Sequence, residues 1–381
     1  MAKASMAFLK SFQKELSNMS GVGTSSLPPR YWYSTGNYVL NKIISGSFFK
    51  GVPQGRVTNL AGSSGAGKSF LAANLVRSAQ QSGAYCLVID SENALDDEFM
   101  GKIGVDVTDN YQYAEVTTIQ QVIEVVSSFL KGYKKEYGEV EDAPQLFILI
   151  DSLDMLMTVT EEDNYGKGIQ KGDQGQRNKQ LKAMLRSFVQ DIKKLNVAMV
   201  VTSQVYKNQD VTNGEGLWIV SDAVKYAASQ IILLSKLKLK DESGKAGMFS
   251  GIRMKAEGYK TRFTKPFQNV TIEVPYETGM DPHSGLLDVA VELGALIKKG
   301  GWYNIAGSTD NLRESTVLDL HVDGLLLSCE AKTNYFLQAK IDGDVEFEDE
   351  DTETTAELVK RRRLAATKDN EDEEEIEFIV E

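Results

Sequence analysis

One eight-residue segment, Gly62-Ser-Ser-Gly-Ala-Gly-Lys-Ser69, constrains this chain more than any other. It fits the pattern G-x-x-x-x-G-K-[S/T]. An apolar, strand-like run, Arg56 to Ala61, leads into it, and a helix-like stretch, Phe70 to Arg77, follows. A strand that turns through glycines into a helix aims backbone N–H groups at one point, and the helix dipole adds positive potential there. A phosphate fits such a cradle. Gly62, Ser63, Ser64, Gly65, Ala66, Gly67, Lys68, Ser69 and Phe70 are therefore the expected nucleotide-binding residues. Lys68 would reach the β- and γ-phosphates, and the Ser69 hydroxyl would ligate Mg²⁺. ATP and Mg²⁺ are the expected cofactors. The competing reading is an ordinary glycine-rich turn, but both flanks have the pattern that a nucleotide loop needs.

From about Tyr33 the chain alternates strand and helix patterns. Strands are expected at 56–61, 84–90, 111–115, 145–150 and 197–203, and helices at 68–82, 117–136 and 176–195. Continuous apolar runs such as Leu146-Phe-Ile-Leu-Ile150 argue for a parallel sheet covered on both faces. After Tyr226, three further strands at 231–239, 249–254 and 268–274 would add an antiparallel edge. Pro282 to Lys298 reads as a helix that opens a small C-terminal α/β domain. The expected class is α/β, a mostly parallel twisted sheet flanked by helices, with the core at 34–281. Residues 1–33 hold a short amphipathic helix (Leu9, Phe12, Leu16, Met19) and a linker. That helix packs either on its own core or on a neighbouring protomer. The C-terminal domain spans 282–340, and 341–381 is an acidic, solvated tail.

The net charge of −12 belongs to that tail. Asp342 to Glu381 carries 17 acidic and 5 basic residues, and the rest of the chain is balanced. Such a run is usually solvated and disordered, and it also competes with nucleic acid for basic surfaces. Two distant cysteines, Cys86 and Cys329, give no disulfide framework. No apolar run is long enough to span a membrane, and no secretory signal is evident near Met1. An intracellular, cytoplasmic location is expected.

Asp151 ends an apolar strand, where it can hold Mg²⁺; capping a following helix is the alternative. Glu92, after the strand that ends at Asp90, is the candidate to activate water. Gln204, after the strand that ends at Ser203, can hydrogen-bond the γ-phosphate and move the loop behind it; a plain polar loop residue is the alternative. Two segments, 160–175 and 206–216, break the alternation without clear periodicity and follow strands on the P-loop's edge. The first loop and its following helix carry Lys167, Lys171, Arg177, Lys179, Lys182 and Arg186. The second carries Tyr206, Lys207 and Trp218. Cations with aromatic wedges suit sequence-independent single-strand binding, and a solvated basic helix face is the competing reading.

The order of these features resembles the RecA family of homologous-recombination ATPases over about residues 30–304. Ser34-Thr-Gly36, Gly51 to Arg56, Val88 to Asp96 and Ala223 to Ser229 carry the resemblance. Asp281 to Asp288, Glu292-Leu-Gly294 and Gly301-Trp-Tyr303 look more specifically like the family's phage-encoded UvsX branch. The resemblance implies roles residue by residue. Lys68, Ser69, Asp151, Glu92 and Gln204 keep the roles above. Asp96 and Phe99 fall where the family contacts adenine. Lys260 and Arg262 match basic residues that reach the neighbouring protomer's phosphates. Lys179 and Arg186 match DNA-contacting positions, and Gln174 stands where an apolar wedge is usual. The DNA loops would span about 158–176 and 205–222.

The implied function is an ATP-dependent recombinase that forms helical filaments on single-stranded DNA and exchanges strands with homologous double-stranded DNA. A single-strand-binding protein and a loading or mediator factor are the partners the family implies. A hexameric helicase motor and a non-catalytic, ATP-gated mediator are the rival readings. The helicase would carry a larger domain before the core, and Glu92, Asp151 and Gln204 together argue against the mediator.

Overall fold

The structure is a computed structural model that describes residues 6–19, 28–138, 142–169, 175–193, 195, 197–207, 218–240, 249–308 and 310–333. The chain divides into two compact units, residues 1–289 and 290–381. The first opens with helix α1 (Met6–Asn18). Strands β1 (Trp32–Tyr33) and β2 (Val52–Pro53) then flank helix α2 (Tyr38–Ser45). The alternating region comprises β3 (Val57–Gly62), α3 (Lys68–Gln81), β4 (Tyr85–Asp90), α4 (Asp97–Ile103), β5 (Tyr111–Glu115), α5 (Ile119–Tyr137), β6 (Leu146–Asp151), α6 (Val159–Gly166), α7 (Gln176–Ile192) and β7 (Val197–Ser203). A short ribbon, β8 (Tyr206–Lys207) with β9 (Trp218–Ile219), leads into α8 (Asp222–Ala227). Three long strands follow: β10 (Gln230–Lys240), β11 (Phe249–Lys260) and β12 (Asn269–Pro275). Helix α9 (Leu286–Glu292) crosses the boundary between units. The second unit contains β13 (Leu296–Lys299), β14 (Trp302–Ile305), α10 (Glu314–Leu320) and α11 (Val322–Lys332).

Eight strands form the main sheet in the order β12-β11-β10-β3-β7-β6-β4-β5. The six from β10 to β5 run parallel, and β11 and β12 are the antiparallel edge. This is the expected α/β class. Every residue of β3, β6 and β7 is buried. Their unbroken apolar runs are stable only under helices on both faces. Burying each large side chain contributes roughly 1.5–3 kcal/mol. Val122, Val126 and Leu130 of α5, with Leu181, Leu185 and Phe188 of α7, cover one face over Ile148, Ile150, Met199 and Val201. Helix α3 covers the other, burying Leu71 and Leu75.

Two expectations need correction. The stretch 282–298 is not one helix: α9 stops at Glu292, Gly294 takes a left-handed φ of 66°, and Leu296–Lys299 pairs with Trp302–Ile305. A glycine in that conformation ends the helix, and the next segment satisfies its backbone by hairpin pairing. The first irregular segment is in part helical. It begins as α6, whose start is a reciprocal capping box between Thr158 and Glu161. The acidic tail lies outside the described residues.

Candidate nucleotide site and the loops beside it

Strand β3 delivers the chain to Gly62, and the turn into α3 passes Gly65 (φ 70°) and Gly67 (φ 96°). A Cβ on Gly67 would also sit 2.9 Å from Met254 Sδ. The left-handed backbone conformation is what requires glycine there, since the flexible Met254 side chain could move aside. Lys68 is buried, and its Nζ donates to the carbonyls of Gly62 and Ser63 at 3.1 Å each. The ammonium is thereby folded into the loop whose N–H groups would receive phosphate.

Register brings the other candidates to the same edge. Ala61 pairs with Ser203, Ile150 with Val201, and Asp90 with Asp151. In space the order is P-loop, Gln204, Asp151, Glu92, whereas along the chain Gln204 comes last. Asp151 is 1% exposed. One of its oxygens accepts the Thr202 hydroxyl, and Oδ2 has no partner among the described residues. Burial pushes its carboxyl pKa up, with the Thr202 and Ser69 hydroxyls opposing and Glu92 and Asp90 adding to the rise. A buried carboxylate oxygen without a donor, beside the Ser69 hydroxyl, fits a divalent cation.

Glu92 is held from two sides. Its Oε1 accepts the Ser152 hydroxyl at 2.5 Å. Its backbone is shaped by Asp90, which is fully buried and accepts the N–H groups of Glu92, Ala94 and Leu95 at 2.9 Å each, plus the Tyr113 hydroxyl at 3.2 Å. Ser91 Oγ donates to the Ser152 carbonyl and accepts the Ser152 N–H, tying the ends of β4 and β6 together. Sequence reading missed Asp90, Ser91 and Ser152. The available signal was the Asp-Ser pair after a strand, a usual turn-forming acceptor. Asp96 caps α4 by accepting the Phe99 N–H at 2.8 Å, and the Phe99 ring is half-buried.

The basic residues divide into two groups. Lys179, Lys182 and Arg186 stand exposed along α7 at helical spacing, and Lys182 Nζ lies 4.5 Å from the Tyr226 ring centroid. Lys167, at the end of α6, is exposed as well. Arg177 differs: its guanidinium donates to the carbonyls of Leu153, Asp154 and Leu156. These bonds engage Arg177 with the protein's own backbone, a role that its assignment as a DNA-binding cation did not include. Tyr206 is exposed, and its hydroxyl donates to Asp154. Lys171 and Gln174 lie outside the described residues, as do the side chains of Lys207 and Trp218.

Lys260 and Arg262 stand away from their own P-loop. Lys260 pairs in register with Ile231, which pairs with Asn59, whereas Gly62 is level with Leu234 and Ala256. At about 3.3 Å per residue that is roughly 10 Å back along the sheet. The Lys260 ammonium donates to the carbonyls of Lys225 and Ala228 at the end of α8. This contact is a second role that its assignment as a phosphate ligand did not include. Burial, followed by the charge of Arg262, lowers the pKa of both Lys260 and Arg56. Three cations thus gather near one edge, and among the described residues no carboxylate pairs with them. Among the described residues no helix is long and apolar enough to cross a membrane.

The RecA N-terminal domain family matches residues 8–281. The RecA protein of Aquifex pyrophilus is 27% identical over 261 residues, covering 67% of this chain and 68% of that protein. The Thermus aquaticus RecA is 28% identical over 263 residues, 67% of this chain and 70% of its own length. The Corynebacterium jeikeium RecA is 25% identical over 350 residues, 88% and 84%. With its phosphate loop, its strand-end carboxylates and this match across its core, the chain belongs to the RecA family of recombinases.

Proposed function

We propose that this chain is an ATP-dependent recombinase that assembles as a helical filament on single-stranded DNA and exchanges that strand with a homologous duplex. The observation that carries this reading is the single sheet edge on which the P-loop, Gln204, Asp151 and Glu92 stand on neighbouring strands, with α6, α7 and β8 following from it. The P-loop amides and Lys68 bind the triphosphate, with Asp96 and Phe99 toward adenine. Asp151 and Ser69 hold Mg²⁺, which when bound draws charge from the phosphate oxygens. Glu92, fixed by Ser152 and Asp90, orients water and takes its proton. Gln204 passes nucleotide state to the second loop. Lys167, Lys179, Lys182 and Arg186 contact the DNA backbone, with Lys171, Gln174, Tyr206, Lys207 and Trp218 completing the loops. Homology is read by base pairing between strands, so the protein needs little sequence preference.

Filament assembly is supported by two features. Lys260 and Arg262 sit too far back to serve their own P-loop, so the phosphates they would serve belong to another copy. Helix α1 carries exposed Phe8 (62%), Leu9 (48%) and Phe12 (44%), an apolar stripe suited to a neighbour. Repeating such a head-to-tail contact without closure builds a helix. Hydrolysis would weaken DNA binding and allow turnover. A phage origin of the UvsX type, a cytoplasmic setting, and a single-strand-binding protein and loading factor as partners complete the proposal.

A D-loop assay tests it. Labelled single-stranded DNA, the protein, ATP and Mg²⁺ are mixed with homologous or heterologous supercoiled duplex. Joint molecules with the homologous plasmid alone are expected. Their absence, with closed rings rather than open filaments in electron micrographs, would favour a helicase motor.

A further inference from the structure

Asp154 has no role in the reading above, yet it touches the bases of both loops. One carboxylate oxygen accepts the Gln204 backbone N–H at 2.6 Å, and the other accepts the Tyr206 hydroxyl at 3.0 Å. Its own carbonyl accepts from Arg177, the second residue of α7. Asp154 lies three residues past Asp151, on the segment that becomes α6. One residue therefore joins the end of the metal-side strand, the base of the first loop and the first residues of the second. The lacing continues below it. Leu153 N–H donates to the Thr202 carbonyl at 3.1 Å, and the Thr202 hydroxyl donates to Asp151.

We propose that Asp154 is a positioning residue that latches the second loop to the first, so that nucleotide-driven movement of Gln204 is what frees Tyr206 for DNA. This rests on the reading of the chain as an ATP-gated single-strand binder. An amide-to-carboxylate bond of 2.6 Å is charge-assisted and strong. The Gln204 main chain, and with it the start of the second loop, can shift only by breaking that bond or by pulling Asp154, whose carbonyl is tied through Arg177 to α7. The Tyr206 phenol has one O–H to donate, and partial desolvation with the nearby Asp154 charge raises its pKa further above neutrality. A DNA phosphate would compete for that O–H and would be repelled by the Asp154 charge. Tyr206 therefore serves the latch or the DNA, not both.

The test measures single-stranded DNA affinity of the full chain, by anisotropy of labelled poly(dT), with a non-hydrolysable ATP analogue and with ADP. In the wild-type protein the analogue tightens binding. In Asp154→Ala the ratio of the two affinities is expected to fall at least fivefold, mainly through tighter binding with ADP. Asp154→Asn, which keeps the shape and one acceptor, should fall between. A merely structural role would lower the melting temperature and leave the ratio unchanged, and that result overturns the proposal. If Asp154→Ala fails to fold, Asp154→Asn carries the test, because it keeps the shape and removes the charge that holds the Gln204 N–H and repels a DNA phosphate. It must lower the ratio about twofold, and an unchanged ratio there also overturns the proposal. Wild-type binding that ignores nucleotide would overturn the underlying reading, and the latch with it.

Discussion

Asp151 keeps a buried oxygen that completes no hydrogen bond among the described residues, and the nearby Ser69 hydroxyl only partly offsets the burial of its charge. Functional sites retain such groups because a ligand satisfies them. Asp151→Asn removes the buried charge. It should raise the melting temperature without Mg²⁺ by about 2–4 °C and abolish the further rise on adding Mg²⁺-ATP. Calorimetry with and without Mg²⁺-ATP checks both, and a destabilised variant that still responds to Mg²⁺-ATP would remove Asp151 from metal support. Glu92→Gln keeps an oxygen for Ser152 and loses the base. ATP and DNA binding should persist while turnover falls about 10²–10⁴-fold. Full hydrolysis by this variant would exclude Glu92 as the base. At this scale the P-loop, Asp151 and Glu92 were legible because their spacing from strand ends is local. Asp90 and Asp154 were not. Acidic residues after strands are common, and Asp154's partners lie 50 and 52 residues away in sequence.

Among elements, α6 was readable and missed: Thr158 and Glu161 stand at capping-box spacing across the start of the segment expected to be irregular. The helix expected across 282–298 overran a glycine that only the backbone conformation marks as a stop. Helix α8 explains the two faces of Lys260, whose ammonium caps its end while Arg262 stays exposed. Lys260→Ala should cost about 1 kcal/mol of stability as well as activity, and Arg262→Ala activity alone. A Lys260→Ala/Arg262→Ala protein mixed with Lys68→Ala protein should regain partial ATP hydrolysis. At mixed contacts an intact P-loop would meet intact cations, which are worth about 10³–10⁵ in rate when supplied in trans. Intact filaments without rescue would count against the assignment.

For the whole molecule, the body is neutral in formal charge and the excess negative charge is confined to residues from Asp342 onward. Truncation after Gln338 should therefore tighten single-stranded DNA binding and flatten its dependence on Mg²⁺, because a competing polyanion is removed. DNA titrations at several Mg²⁺ concentrations check this, and unchanged curves would show that the tail is no mimic of DNA. By itself the sequence determined the α/β class, the phosphate loop, the carboxylates and the basic character of α7. Each is written in local spacing and periodicity, which short-range sterics and hydrogen bonding convert directly into structure. Only the tertiary structure decided that β7 lies between β3 and β6, putting Gln204 beside the P-loop although it comes last in the chain. It also decided that Arg177 and Lys260 serve backbone carbonyls and that Asp154 bonds the first residues after β7. Strand order and register bring distant segments together, and no local pattern encodes which cation ends beside which carbonyl.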